Sequence, residues 1–171
     1  MIYSILRTTQ AWLATSHRIR CSNPIWRRIL AELGRRSDGH RESGAFLLGR
    51  MANPHRVILD AVYYDDIAPE SLHRGAILFP GHAYSKLWEL CRDRGLEVVA
   101  DVHTHPGGAQ QSPVDRAHPM LAEIGHVALI VPDYARSHSL ESGLGIYEYA
   151  GAKNWIDHNG RVGSRFFLRT V

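Results

Sequence analysis

Cysteine is scarce in this chain, with only Cys21 and Cys91 among 171 residues. A single pair is too few for the disulfide framework of a small secreted domain, and no CxxC spacing is present. Cys91 falls in an apolar stripe at helical spacing, so we expect it to be a small core residue. The cysteine usage therefore predicts an intracellular, cytoplasmic protein.

Long hydrophobic runs are also missing. No segment approaches the roughly 18 consecutive apolar residues that a membrane-spanning helix needs. The stretch 1–13 lacks a basic start followed by a continuous apolar run, because polar residues at 7–10 interrupt it. The sequence thus predicts neither a membrane partner nor a secretion signal.

Motifs for nucleotide binding and for serine-based hydrolysis are absent as well. Gly107-Gly108 fits neither a GxGxxG nor a Walker phosphate loop, and Ser112 lacks the G-x-S-x-G frame of a nucleophile elbow. The net charge is +3, and the arginines near the start form no run of five or six like charges. We therefore expect no nucleotide cofactor and no nucleic-acid partner.

What remains is the composition of one globular domain over residues 1–171. Hydrophobic residues make up 44% and charged residues 22%, and no repeat, low-complexity tract or linker is present. Periodicity predicts helices that start at 22–24 and end at Gly34, and over 81–94 and 113–117. Strands are predicted over 2–6, 44–51, 57–64, 96–102, 126–131, 144–149 and 166–168, with 44–51 and 57–64 as a hairpin. Segments 35–41 and 65–74 are predicted loops, and 10–15 a turn or short helix. The mixture indicates an α/β (α+β) fold.

The strand predicted at 96–102 runs directly into His103-Thr104-His105. Residues i and i+2 of a strand point to the same face, so both imidazoles can grip one metal ion. Asp115 lies ten positions after His105, and a glycine-containing loop can bring it back as a third ligand. Two histidines and one carboxylate leave a fourth position for water, which is typical of a catalytic zinc site. Zinc lowers the pKa of such a water toward ~7.

Two further residues would complete a hydrolytic site. Glu42 can act as the general base that takes the proton of the water and returns it to a leaving amine. Ser112 can donate a hydrogen bond to the oxyanion that develops on the attacked carbonyl. Each signal has an ordinary alternative: an HxH pair is often two unrelated histidines, 112–115 fits a helix cap, and an isolated Glu42 would lie on the surface. The combination, in this order, favours catalysis.

The order of these residues resembles the JAMM family of zinc metalloproteases, whose domain is called JAB or MPN+. The family motif is a glutamate, then H-x-H-P, a short loop and S-x-x-D. This chain has Glu42, then H-T-H-P at 103–106 and S-P-V-D at 112–115. The segment 42–49 resembles the family's strand that carries the glutamate, and 81–94 occupies the place of the helix before the histidine strand. The resemblance covers about residues 19–149.

One departure from the family pattern concerns the loop between His105 and Ser112. It has six residues here, whereas the family usually has seven. Gly107 and Gly108 can absorb a tighter path, because glycine tolerates positive φ. We therefore keep Ser112 and Asp115 in their assigned roles.

The resemblance implies a single JAB/MPN-type domain with a mixed β-sheet flanked by helices, of the cytidine-deaminase-like kind. It implies one catalytic Zn²⁺ held by His103, His105 and Asp115, with Glu42 and Ser112 as catalytic residues. The reaction would be hydrolysis after the C-terminal tail of a ubiquitin-like protein, with that tail extended along a strand edge. Partners would be a ubiquitin-like protein or its conjugates and E1/E2-like conjugation proteins, as in bacterial conjugation or antiviral systems.

Two alternatives remain open at this point. One is a non-catalytic MPN-fold scaffold in a protein complex, which the complete set of motif residues disfavours. The other is a metallohydrolase that acts on the tail of a sulfur-carrier protein, which the sequence does not separate from an isopeptidase. Among other residues, His118 either orients a ligand or lies on the surface, and His126 is predicted to be structural. Asp101 shares a strand face with His103 and either hydrogen-bonds a ligand or pairs with an arginine.

Overall fold

The computed structural model of the protein describes residues 18–52, 55–73, 76–77, 79–136, 143–160 and 166–171. The predicted strand at 2–6 and the turn or helix at 10–15 lie outside these residues, so the prediction of one domain over 1–171 stays a prediction. The described strands are β1 (Ile19–Ser22), β2 (Gly44–Ala52), β3 (His55–Tyr63), β4 (Leu72–His73), β5 (Ala76–Ile77), β6 (Glu97–Thr104), β7 (Val127–Val131), β8 (Gly145–Gly151), β9 (Asn154–Asp157) and β10 (Phe167–Thr170). The described α-helices are α1 (Asn23–Ser37), α2 (Tyr64–Ile67), α3 (Tyr84–Arg94) and α4 (Pro113–Ala117).

Eight strands form one mixed sheet in the order β10-β1-β3-β2-β6-β7-β8-β9. The predicted hairpin is confirmed, because β2 and β3 pair antiparallel. β2 also pairs antiparallel with β6, and β6 pairs parallel with β7. The sheet thus places β6 near its centre, with a hydrogen-bonded neighbour on each side.

Helices cover both faces of this sheet. The buried face of α1 carries Trp26, Ile29 and Leu33, which belong to one core cluster with Ala45 and Leu47 of β2. The alternate residues of β2, Phe46 and Leu48, belong to a second cluster with Leu87 and Cys91 of α3. Because β2 is buried on both faces, it reads as a continuous apolar run rather than an alternating one. The expected mixed sheet flanked by helices is confirmed.

The first helix differs from its prediction at both ends. Ser22 occupies the N-cap position, but its side chain makes no capping hydrogen bond, so Pro24 in the first turn is the remaining start signal. The predicted end at Gly34 is wrong, because the helix continues to Ser37 and Asp38 adopts the left-handed cap conformation at φ 48°. Gly34 instead provides close packing, since a Cβ there would lie 3.1 Å from the carbonyl oxygen of Ala135. The predicted loop 35–41 is therefore partly helical.

The segment predicted as a loop at 65–74 is also wrong in part. It contains α2, a short 3-10 helix at Pro69–Ser71 and strand β4. These pieces are only two to four residues long, too short for hydrophobic periodicity to reveal them. The sequence predicts no strand at β1, β5 or β9, and β6 extends two residues beyond its predicted end, through His103 and Thr104. Within the described residues, no helix is long and apolar enough to cross a membrane.

Candidate metal centre

The two histidines of the HxH motif sit at the end of β6. His103 is in the strand, and His105 follows it, with its amide donating to the carbonyl of Val131 at 2.9 Å. The two side chains point to the same side, and their Nε2 atoms lie 3.0 Å apart. Both residues are more than nine-tenths buried. The alternation of the strand therefore brings two imidazole nitrogens to one point, as the sequence predicts.

Asp115 reaches the same point from α4, which spans the predicted residues. Its Oδ1 lies 3.5 Å from Nε2 of His103, and its Oδ2 lies 3.2 Å from Nε2 of His105. Ser112 and Asp115 form a reciprocal capping box. The amide of Asp115 donates to Ser112 Oγ at 3.2 Å, and the amide of Ser112 donates to Asp115 Oδ2 at 2.6 Å. Residues 112–115 thus form the helix cap and also bring Asp115 to the two histidines.

The short loop between His105 and Ser112 is held in place by neighbouring chain segments. Gly107 accepts a hydrogen bond at its carbonyl from the amide of Asp133 at 3.0 Å. The carbonyl of Ala109 accepts one from the hydroxyl of Tyr147 at 3.1 Å. It also lies so close to Gly145 that a Cβ there would come within 2.1 Å of it. Asp115 therefore reaches the histidines despite the missing residue.

The expected role of Gly107 and Gly108 is wrong, because neither adopts a positive φ. Positive φ occurs instead on the facing turn, at the three consecutive residues Asp133, Tyr134 and Ala135, with φ of 51°, 53° and 55°. For residues with a Cβ this conformation costs roughly 1–2 kcal/mol each. The turn aims the amide of Tyr134 at the carbonyl of His105, at 2.8 Å. Backbone strain at this turn thus supports the loop that carries the ligands.

Glu42 is brought to the site by the pairing of β2 with β6. Gly44 pairs with His103, and the amide of Thr104 donates to the carbonyl of Ser43 at 2.8 Å. Continuing this register places Glu42 beside His105, and its Oε1 lies 3.9 Å from His105 Nε2. A residue 61 positions before the first histidine in the chain is therefore a neighbour of the second in space (103 − 42).

Three hydroxyl groups fix this register, and the sequence did not reveal them. The hydroxyl cluster consists of Ser37, Ser43 and Thr104, all fully buried. Ser37 Oγ lies 2.9 Å from Ser43 Oγ and 3.0 Å from Thr104 Oγ1. The amide of Ser43 donates to Thr104 Oγ1 at 2.9 Å, and Ser43 Oγ donates to the carbonyl of Leu33 at 2.8 Å. The cluster joins the end of α1, the residue after Glu42 and the residue between the histidines.

The charges of the site shift the pKa values of its groups. Burial alone would lower the pKa of His103, but the carboxylates of Asp101 and Asp115 outweigh it and raise this pKa to about 10. Burial alone would raise the pKa of Asp115, but hydrogen bonds and charge from the two histidines hold it well below its usual range. Burial raises the pKa of Glu42, and the histidines offset this only in part. The two carboxylates thus favour positive charge at His103, while Glu42 gains affinity for a proton.

These residues fit a metal ion. We call His103, His105 and Asp115 the metal group. Each offers one ligand atom, and these three atoms all lie within 4.8 Å of one another. Two nitrogens and one carboxylate oxygen are the donor set of a catalytic zinc site with an open position. His118, in contrast, is exposed at the end of α4, and His126 points to Asp101. The three residues would therefore hold such an ion through three of its four ligand positions.

Comparison with known proteins identifies the family of this chain. Residues 22–140 match the family model for prokaryotic homologues of the JAB domain (Prok-JAB). The chain belongs to this family. The matched span includes the three candidate ligands, Glu42 and Ser112. The chain is also similar to a probable metalloprotease, y4jG, from Sinorhizobium fredii (strain NBRC 101917 / NGR234). It is 28% identical over 132 residues, which cover 77% of this chain and 81% of the relative.

Two solved structures share the fold of this JAB-family chain. Protein DSY2949 from Desulfitobacterium hafniense superposes with a TM-score of 0.62 at 14% identity, covering 89% of this chain and 92% of the other. A protein from Salinibacter ruber (strain DSM 13855) gives a TM-score of 0.57 at 18% identity, covering 88% and 91%. At these identities the likeness concerns the fold alone. It agrees with the expected JAB-type architecture.

Proposed function

We propose that this protein is a zinc-dependent peptidase or isopeptidase that hydrolyses the bond after the C-terminal tail of a ubiquitin-like protein. The observation that carries the proposal is the convergence of His103, His105 and Asp115, with the Glu42 carboxylate 3.9 Å from a ligand nitrogen. Membership of the Prok-JAB family and the likeness to a probable metalloprotease support hydrolysis as the reaction.

Zinc at this site would supply a water acidified toward neutral pH and would polarise the carbonyl of the scissile bond. Glu42 takes the proton of the attacking water and returns it to the leaving amine. Its Oε1 lies 3.9 Å from Nε2 of His105, which places the carboxylate beside the candidate ligands. The carboxylate thus serves as base first and as acid afterwards.

Ser112 stabilises the oxyanion of the tetrahedral intermediate. Its Oγ accepts a hydrogen bond from the amide of Asp115 at 3.2 Å. A hydroxyl also carries one donor, so the proton of Ser112 remains available for the oxyanion. The capping box holds the hydroxyl in place before substrate binds, which is the arrangement that makes such donors effective.

The substrate class rests on the family, whose members act on tails of ubiquitin-like proteins. Strand addition would bind the backbone of such an extended tail. A sulfur-carrier tail has the same chemistry at the scissile bond. A scaffold without activity is disfavoured, because every motif residue is present and the metal group is formed.

The test is a cleavage assay on ubiquitin-like fusions. A bacterial ubiquitin-like protein and a sulfur-carrier protein are each fused through their C-terminal tail to a reporter, and a scrambled tail serves as the control. We expect cleavage after an intact tail, loss of cleavage with a zinc chelator and recovery with added zinc. Cleavage that survives complete metal removal would contradict the proposal. Preference between the two fusions distinguishes deconjugation from sulfur-carrier processing.

A further inference from the structure

One ring nitrogen of His103 is left without a partner next to the metal group. Nε2 of this imidazole faces His105 and Asp115. The other nitrogen, Nδ1, is buried and has no hydrogen-bond partner. Buried polar atoms normally find a partner, so an exception next to a functional site calls for a physical account.

The nearest acidic group on that side is Asp101, two residues earlier on the same strand face. Its Oδ2 lies 4.0 Å from Nδ1 of His103, which is beyond hydrogen-bond distance. Asp101 is 1% exposed and His103 is 6% exposed. In such a buried setting the attraction between a carboxylate and an imidazole N–H is weakly screened and acts over this distance. The interaction between Asp101 and His103 is therefore electrostatic rather than a hydrogen bond, and Nδ1 is the imidazole nitrogen that takes part in it.

Asp101 is itself held by two donors from distant parts of the chain. Nε2 of His126 donates to its Oδ1 at 2.6 Å, and the hydroxyl of Tyr64 donates to its Oδ2 at 3.2 Å. We call Tyr64, Asp101 and His126 the Asp101 cluster. Burial raises the pKa of Tyr64 well above its usual value, so its phenol keeps the donated proton. Each oxygen of the carboxylate thus has a donor.

Tyr64 is closely packed at this contact. Its ring lies against β2 at Gly44, where a Cβ would come within 2.3 Å of the ring atom Cε2. Gly44 is the strand partner of His103. Tyr64 is fully buried and also packs edge-on against Phe46, with ring centroids 4.8 Å apart. The Asp101 cluster is therefore buried and closely packed beside His103.

We propose that Asp101 is the positioning residue of the metal centre, because it holds His103 in the tautomer that carries its proton on Nδ1 and presents the lone pair of Nε2 to the metal. The inference rests on the proposed metal-dependent function. Ligand histidines commonly donate their second ring N–H to a carboxylate, which orients the ring and fixes the tautomer, and loss of such a partner weakens metal affinity by roughly 10–100-fold. Tyr64 and His126 act through Asp101.

The test compares metal binding by the wild type, Asp101→Asn and the control Asp93→Asn, whose side chain is exposed on α3. Zinc affinity is measured by competition with a chelator of known affinity, and the geometry of the site by the visible spectrum of the cobalt-loaded protein. We expect Asp101→Asn to lose roughly 10–100-fold in affinity and to change the cobalt spectrum, while Asp93→Asn matches the wild type. Histidine ¹⁵N NMR of the zinc-loaded wild type should show the proton of His103 on Nδ1.

A second variant, Tyr64→Phe, keeps the proposal testable if Asp101→Asn does not fold. Tyr64→Phe keeps the ring packing and removes one donor to Asp101, and we expect roughly a two- to tenfold loss of zinc affinity. If folded Asp101→Asn protein has the zinc affinity and cobalt spectrum of the wild type, the positioning role of Asp101 is overturned. The proposed hydrolase function is unaffected by that result. If Asp101→Asn does not fold, unchanged affinity in Tyr64→Phe overturns the positioning role. Absence of zinc and cobalt binding by the wild type would overturn both.

Discussion

The two faces of β6 support the same site by different means. On the face toward α1, Thr104 joins the hydroxyl cluster, whose three neutral groups bond to one another and to the backbone. On the face toward α3, Asp101 and His103 are ionisable groups, and Nδ1 of His103 lies 4.0 Å from Oδ2 of Asp101. Neutral hydroxyls can be buried at small cost when all are bonded, whereas buried charges need paired partners. One face of β6 thus positions the segment that carries Glu42, and the other carries the candidate ligand His103.

This division of labour makes separable predictions. Substitutions on the charged face should change metal affinity and activity together. Substitutions on the hydroxyl face, or at Glu42, should change activity while metal affinity stays constant.

The largest effect is expected for His105→Ala. It removes one of three ligands and leaves Asp115 without one of its two buried partners. Hydrolysis of the fusion substrate should fall by more than about 10⁴-fold, because both metal chemistry and proton transfer by Glu42 depend on the bound ion. His82→Ala, on an exposed histidine, is the matched control. Near-normal turnover by His105→Ala with metal present would show that hydrolysis does not depend on metal held by the charged face of β6.

Glu42→Gln should give the next largest effect and a different pattern. The substitution keeps the shape of the side chain and removes its ability to accept a proton, so the turnover rate should fall by roughly 10²–10⁴-fold. Zinc affinity should stay within a few-fold of the wild type, because Glu42 is not among the three ligands. Rate measurements and zinc titrations on the same preparation check this, with Glu89→Gln, exposed on α3, as the control. Loss of zinc together with activity would make Glu42 a ligand.

Ser112→Ala tests the loop-borne part of the site. We expect a fall of roughly 10²–10³-fold in turnover from the lost oxyanion donor, and about 1 kcal/mol of stability from the lost helix cap. The two consequences are separated by measuring thermal unfolding beside kinetics. Ser85→Ala is the control, since Ser85 bonds to a backbone carbonyl at the start of α3, away from the metal group. Unchanged turnover with reduced stability would limit Ser112 to its capping role.

The smallest effect is expected for Thr104→Val, which removes the central hydroxyl of the cluster while keeping its volume. The hydroxyl of Ser37 and the amide of Ser43 then lose their hydrogen-bond partner. Because the position of Glu42 becomes less well fixed, turnover should fall roughly 10–100-fold. Thr104→Ser, which keeps the hydroxyl, should stay close to the wild type. Zinc affinity should not change in either variant. A loss of zinc affinity in Thr104→Val would show that the two faces are not independent.

Much of this site could be predicted from local sequence patterns. The i and i+2 spacing places His103 and His105 on one face, and the S-x-x-D pattern predicts a helix cap at Ser112. Both depend only on backbone periodicity and on hydrogen bonds within a few residues. The placement of Glu42 came from the family resemblance, because no local pattern links it to residues sixty positions later.

The parts that could not be predicted depend on contacts between distant segments. The partners of Asp101 come from the start of α2 and from the residue before β7, and no spacing in the sequence relates them. The end of α1 was misplaced because Asp38 takes a left-handed position that glycine usually fills. The tight loop is supported by strained residues on another turn rather than by its own glycines. In each case tertiary packing decided what local preference left open.

The most direct test of the metal centre is a zinc titration of metal-free protein against a chelator of known affinity, for the wild type and Asp115→Ala. We predict one tightly bound zinc per wild-type chain and a large loss of affinity in Asp115→Ala, with both proteins folded. Failure of the folded wild type to bind zinc, or equal affinity in the two proteins, would contradict the account.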